Sequence, residues 1–166
     1  MSGVIYQLSV SPGGVPKLPV AESSVGELGL EGNAVANPDI HGGPERAVCL
    51  YSLEVIEALA AEGHPIAPGT AGENVTLRGI DWALVQPGAR IALGDDVELE
   101  ITRFTTPCAT IRGSFKDGDS NRIHQNLHPG WSRAYARVLR GGRLRAGDTA
   151  RLGTSDEAFD VAAASG

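Results

Sequence analysis

The sequence predicts a mainly β protein, a β-barrel with a few helices, and three observations carry that reading. First, Gly 22 and Pro 10 together make almost a fifth of the 166 residues, a turn-rich composition that suits many short strands. Second, strand-length runs recur along the chain and are separated by hairpin-type punctuation, "LGDD", "RGGR" and "AGDT". Third, only one segment carries a full set of helix signals.

The elements follow in order. "GVIYQLSV" (3–10) alternates apolar and polar residues and reads as a strand, and "SPGGVPKLPV" (11–20) reads as a loop carrying Lys17. Residues 26–48 are punctuated by Gly, Asn and Pro and read as largely irregular. "AVCLYS" (47–52) is a short apolar strand. "SLEVIEALAAEGHP" (52–65) is the helix: Ser52 caps it, Glu54 and Glu57 suit its positive end, and Gly63 then Pro65 stop it. Val55, Ile56, Leu59 and Ala60 form its expected buried stripe. Strands are expected at 72–80, 83–88, 90–104, 132–148 and 149–153. Residues 1–153 make one domain, and 154–166 read as a flexible C-terminal tail.

Composition narrows the function. Two cysteines are no disulfide scaffold, and the chain opens without a signal-peptide pattern. No apolar run approaches the roughly 20 residues that span a bilayer. A cytoplasmic protein with reduced thiols and no membrane partner is expected. The net charge of −6 is unevenly spread: residues 1–102 hold 4 Lys/Arg against 14 Asp/Glu, and residues 103–151 hold 10 against 3. The basic segment lacks interleaved aromatics and the chain is acidic overall, so nucleic acid is not an expected partner. An anionic ligand suits these arginines better, although each one alone also suits a solvent-facing strand position.

Three clusters carry candidate chemistry. In "TTPCAT", Pro107 stiffens the chain before Cys108, and Arg103 and Arg112 lie within five residues of it. Nearby cations lower a thiol pKa from roughly 8.5, and a thiolate here suits a nucleophile, a persulfide carrier or a soft-metal ligand. Cys49, inside "AVCLY", has neither proline nor polar neighbours in sequence and reads as a buried structural cysteine. In "PDIHGGPERAV", His41 precedes Gly42 and Gly43, which allow close backbone approach to a ligand, and a histidine there can donate to an oxyanion or take a proton. In "GTAGENVTL", Gly72 allows a tight turn while Glu73 and Asn74 offer an acceptor and an amide. No Cys-x-x-Cys, His-Glu-x-x-His or phosphate-loop spacing occurs, and a cysteine-type nucleophile formed by Cys108 with His41 stays open.

Taken together, "GLEGN", "HGGPERAVCLY", "AGENVTL", "IALGDDVELEIT" and "TTPCATI" resemble, in order and spacing, the MOSC family, the molybdenum cofactor sulfurase C-terminal domain. The resemblance covers roughly residues 3–153 and is strongest to small stand-alone bacterial members. It implies a β-barrel. It implies that Cys108 is the protein's ligand to molybdenum, as the cysteine after proline is in reductase members such as the mitochondrial amidoxime-reducing component. It assigns cofactor-pocket roles to His41, Gly42, Gly43, Glu73 and Asn74. Lys17 and Arg112 are added on physical grounds as contacts to the phosphate of a molybdopterin-type cofactor. The implied activity is reduction of N-hydroxylated small molecules, with His41 as a proton source and electrons from a separate reductase. The alternative is a sulfur carrier, with a persulfide on Cys108 supplied by a pyridoxal-phosphate-dependent cysteine desulfurase; pyridoxal phosphate binding is itself a family-level association. The chain departs from the pattern at Asn33, where the family usually shows Asp, and after Cys108, where aromatic and basic residues common in the reductases are missing.

Overall fold

A computed structural model describes residues 2–34 and 43–153. Among the described residues eleven strands form: β1 Ser2–Val10, β2 Leu18–Val20, β3 Glu22–Gly26, β4 Gly29–Leu30, β5 Val48–Ser52, β6 Val75–Arg78, β7 Arg90–Leu93, β8 Val97–Phe104, β9 Ala134–Arg140, β10 Gly142–Arg145 and β11 Thr149–Gly153. Seven of them run β11-β7-β8-β9-β5-β6-β1, and β1 pairs back onto β11 to close the barrel. Closure leaves those strands no free edge. β2 lies outside on β1, and β10-β3-β4 make a separate small sheet.

Local sequence explains the strands well. In β8, Val97, Leu99 and Ile101 alternate with more exposed residues and fill the barrel core. β5 is buried at every residue, "VCLYS", as a strand covered on both faces must be. It pairs in parallel with β6, and the crossover between them contains α1, Leu53–Ala61. Register shifts between Ile5 and Gln7 on β1, and at two points along β8, add the bends that a small barrel needs.

The helix forms where its signals lie. The Ser52 hydroxyl accepts from Val55 N at 3.2 Å, and Gly63 leaves the helix with φ +100°. Its buried face is Leu53, Ile56 and Leu59; Val55 is half-buried, and Ala60 faces solvent instead of the core. The buried face starts two residues earlier than expected, at Leu53, where β5 runs straight into the helix.

Three loop and strand expectations are corrected. Residues 83–88 are no strand: Trp82–Leu84 form a 3-10 turn capped by Asp81, whose carboxylate accepts from Ala83 N at 3.1 Å. The buried Trp82 indole donates to Ser132 O at 2.7 Å, and satisfying that N–H fixes the segment. The loop 11–20 ends in β2, and the stretch read as irregular from residue 26 holds the last residue of β3 and all of β4. β3 pairs with β10, more than a hundred residues downstream, a partner no local pattern reveals.

Candidate functional site

Cys108 follows β8 and stands at the N-cap of a 3-10 turn, Ala109–Ser114, with extended backbone. Its carbonyl accepts from Ile111 N and from Ser120 Oγ, both at 3.3 Å, so two successive turns hold its backbone. Its thiol is half-buried and lies 2.7 Å from Thr110 Oγ1. The two arginines that flank it in sequence, Arg103 and Arg112, are both exposed.

A second group of side chains is wholly buried. β5 lies between β6 and β9, so the residues just before those strands, Glu73–Asn74 and Arg133, flank Cys49. Asn74 is consumed by the backbone: its Oδ1 accepts from Cys49 N at 3.0 Å, its Nδ2 donates to Ser9 O at 3.2 Å, and its own N–H donates to Cys49 O at 2.7 Å. Glu73 is fully buried; its Oε2 accepts from Thr76 Oγ1 at 2.9 Å. Arg133 is 5% exposed and its Nη1 donates to Ala71 O at 2.7 Å. Lys17 is buried as well and donates from Nζ to Asn33 Oδ1 at 2.8 Å.

Burial dominates the electrostatics of this group. Desolvation pushes the Glu73 carboxyl above the usual carboxylate range, opposed first by the backbone N–H groups of Gly69 and Glu73, then by the Thr76 hydroxyl and last by the Arg133 charge. It lowers the Lys17 ammonium, opposed by Cys49 and Glu73. It raises the Cys49 thiol, opposed first by Arg133. Sequence reading gave Cys49 no polar company; the fold supplies it from Thr105, whose hydroxyl is 3.8 Å from the sulfur, and from Lys17, Glu73 and Arg133. That company was invisible because it arrives from four separate segments.

The Cys108 segment and the buried group are joined. Thr105 N donates to Arg133 O at 3.0 Å, and Ser132 Oγ donates to Thr105 O at 3.3 Å. Ser114 Oγ donates to Thr70 Oγ1 at 3.0 Å, tying the turn after Cys108 to the loop that carries Glu73. Tyr135, whose phenol burial raises to about 12, lies within electrostatic reach of both thiols as well as Arg133 and Arg46. A third cluster braces the far side: Arg122 stacks 4.1 Å above Trp131 and bonds both oxygens of Glu62 at 3.0 and 2.7 Å. The buried His64 accepts from Lys116 N at 3.2 Å.

The structure therefore brings Lys17, Glu73 and Asn74 together and links them to Cys108. Gly43, at φ +94°, opens the 3-10 turn Pro44–Arg46 and is exposed. His41 and Gly42 lie outside the described residues. Arg133 is the participant that sequence reading passed over.

Comparison with known proteins decides the family. The sequence signature of the MOSC domain matches residues 37–151. This chain belongs to the MOSC domain family. Its relatives include the protein YiiM of Escherichia coli strain K12, 31% identical over 127 residues. That match covers 72% of this chain and 56% of YiiM. A protein named only "Reductase" from Gibberella moniliformis is 33% identical over 139 residues, 81% of this chain but 24% of the relative. The chain thus spans about half the length of YiiM. Among solved structures, YiiM from Escherichia coli matches at TM-score 0.69 and 25% identity, over 98% of this chain and 77% of that one. YiiM from Geobacillus stearothermophilus matches at TM-score 0.70 and 24% identity, over 91% and 75%, a likeness of fold.

As a MOSC domain, the chain has the expected barrel with the cysteine after proline placed just past β8. Among the described residues no three His, Cys, Asp or Glu side chains gather as a metal site. Among the described residues no helix is long and apolar enough to cross a membrane.

Proposed function

We propose that this MOSC protein is a molybdenum-cofactor-dependent reductase of N-hydroxylated small molecules, with Cys108 as the protein's ligand to the metal. One observation carries the reading: the segment that bears the half-buried Cys108 thiol is tied, at Thr105 before it and Ser114 after it, to the two segments that hold the buried Arg133 and Glu73. That donor set fits a metal held by the sulfur ligands of its own organic cofactor, with one soft thiolate from the chain. It also fits an anionic tail on that cofactor. When bound, the cofactor would supply the two-electron redox chemistry, and the protein the binding and orientation.

Reduction of an N–OH group to N–H consumes two electrons and two protons and releases water. The chain shows no flavin, haem or iron–sulfur motif, so a separate reductase would supply the electrons. Cys108, its backbone fixed by Ile111 and Ser120, would set where the reacting centre sits. Tyr135, held protonated by burial and within electrostatic reach of Cys108, would be one group to hold a proton, and His41 is the one that the sequence motif names.

The half-buried state of Cys108 favours a second reading, the sulfur carrier. There the Cys108 thiolate attacks the terminal sulfur of a desulfurase persulfide; the desulfurase leaves as a thiol and Cys108 becomes the persulfide. The readings differ in what occupies the sulfur. Cofactor-loaded protein should react slowly with iodoacetamide at Cys108 and, given a chemical electron donor, should reduce a hydroxylamine. Apo protein should alkylate readily. Fast alkylation of loaded protein, without hydroxylamine reduction, would remove the reductase reading.

A further inference from the structure

Arg133 sits with a half-used guanidinium inside the barrel wall. Nη1 donates to Ala71 O at 2.7 Å, while Nε and Nη2 have no partner among the described residues. Those two nitrogens form one edge of the planar fork, the edge that grips a carboxylate or phosphate with two parallel hydrogen bonds. Glu73 does not take it. Its Oε1 is itself unpartnered, and the two groups act on each other's charge without bonding.

Charge bookkeeping points the same way. Lys17 and Arg133 are two buried cations beside one buried carboxylate, and the partner of Lys17 is the neutral amide of Asn33. A buried cation without an anion is costly, and an arginine with two silent donors more so. The loop over it is cut to fit. A side chain at Gly72, φ +86°, would stand 3.1 Å from Val15 Cγ1 and 3.8 Å from Arg133 Nη1. One at Gly69 would run into Lys17 O. Glycines thus let the 69–74 backbone lie directly against both cationic residues.

The structure assigns Arg133, seconded by Lys17, as the anchor for a ligand oxyanion of the phosphate type, bound through the Nε–Nη2 edge. This deepens the proposed function by naming which residue would hold the cofactor's phosphate, and it rests on that function only for the identity of the ligand. Arg112, the arginine nearest Cys108 by sequence, is exposed, where water weakens such a contact.

The test uses the apo protein and inorganic phosphate as probe, with chloride at matched ionic strength as reference. Phosphate should raise the melting temperature of the wild type and bind measurably by calorimetry. Arg133→Gln should lower phosphate affinity by about tenfold or more, the loss expected for a charge-assisted pair. Arg133→Lys keeps the charge without the fork and should lose most of the affinity while folding like the wild type. No phosphate response in the wild type, or an undiminished one in Arg133→Lys, overturns the assignment. Phosphate binding by a protein that never takes up molybdenum would leave the anchor standing and remove the reductase reading. Molybdenum retained at wild-type level in Arg133→Lys would do the reverse.

Discussion

Cys108→Ser should yield a folded protein that holds no molybdenum and has no reductase activity. The substitution changes one atom at a half-buried position outside every strand. A serine hydroxyl can keep the contact to Thr110, and the backbone ties to Ile111 and Ser120 do not involve the side chain. The stability change should stay within about 0.5 kcal/mol. The lost property is softness: a hydroxyl stays protonated near neutral pH and is a poor ligand for a sulfur-rich metal centre. Metal analysis with a thermal melt separates the two effects. Cys49→Ala supplies the contrast. It should keep its molybdenum and lose on the order of 1 kcal/mol, because that sulfur is buried packing. Equal metal loss in both variants would show that the thiol had been assigned wrongly.

Leu50→Ala should be the most destabilising single change in the site's frame. Leu50 is fully buried in β5 and is paired with Val75 on one side and Ala134 on the other. Truncation leaves a cavity at the strand that carries Cys49 and Tyr51. The neighbouring strands cannot collapse inward without breaking barrel closure. Deletions of this kind cost about 2–5 kcal/mol. At about 2–4 °C per kcal/mol for a chain of this size, the melting temperature should fall by roughly 10 °C. A fall of only a degree or two would mean that β5 is less constrained than its burial implies.

What the sequence disclosed depended on whether the controlling interaction is local. The helix was legible because its cap, its period and its Gly63 stop all lie within a dozen residues. The 83–88 segment misled because its apolar run matches a strand, while its conformation is set by the Trp82 indole reaching Ser132, fifty residues away. β3 was missed because its pairing with β10 is non-local, and the two-residue β4 exists only as a partner of β3. The same rule governs the site. Cys108 was legible because proline, threonines and arginines surround it in the chain itself. Arg133 was not, because an arginine in "SRAYARVLR" reads as a solvent-facing residue of a strand. Its burial comes from a loop 62 residues earlier, where Ala71 accepts its hydrogen bond. Lys17 was singled out as a phosphate contact, and its neutral partner Asn33 and its burial emerge only when the loops after β1 and β4 meet.

Whether Cys108 holds molybdenum in this MOSC protein decides between the reductase and the sulfur carrier. The most direct measurement is elemental analysis of wild-type protein expressed with molybdenum cofactor available, alongside intact-mass analysis after incubation with a cysteine desulfurase and cysteine. If Cys108 is the ligand, the wild type should hold stoichiometric molybdenum, Cys108→Ser should lose it, and the loaded protein should gain no sulfur. No molybdenum under any expression condition, together with the mass of one extra sulfur on Cys108, would contradict it.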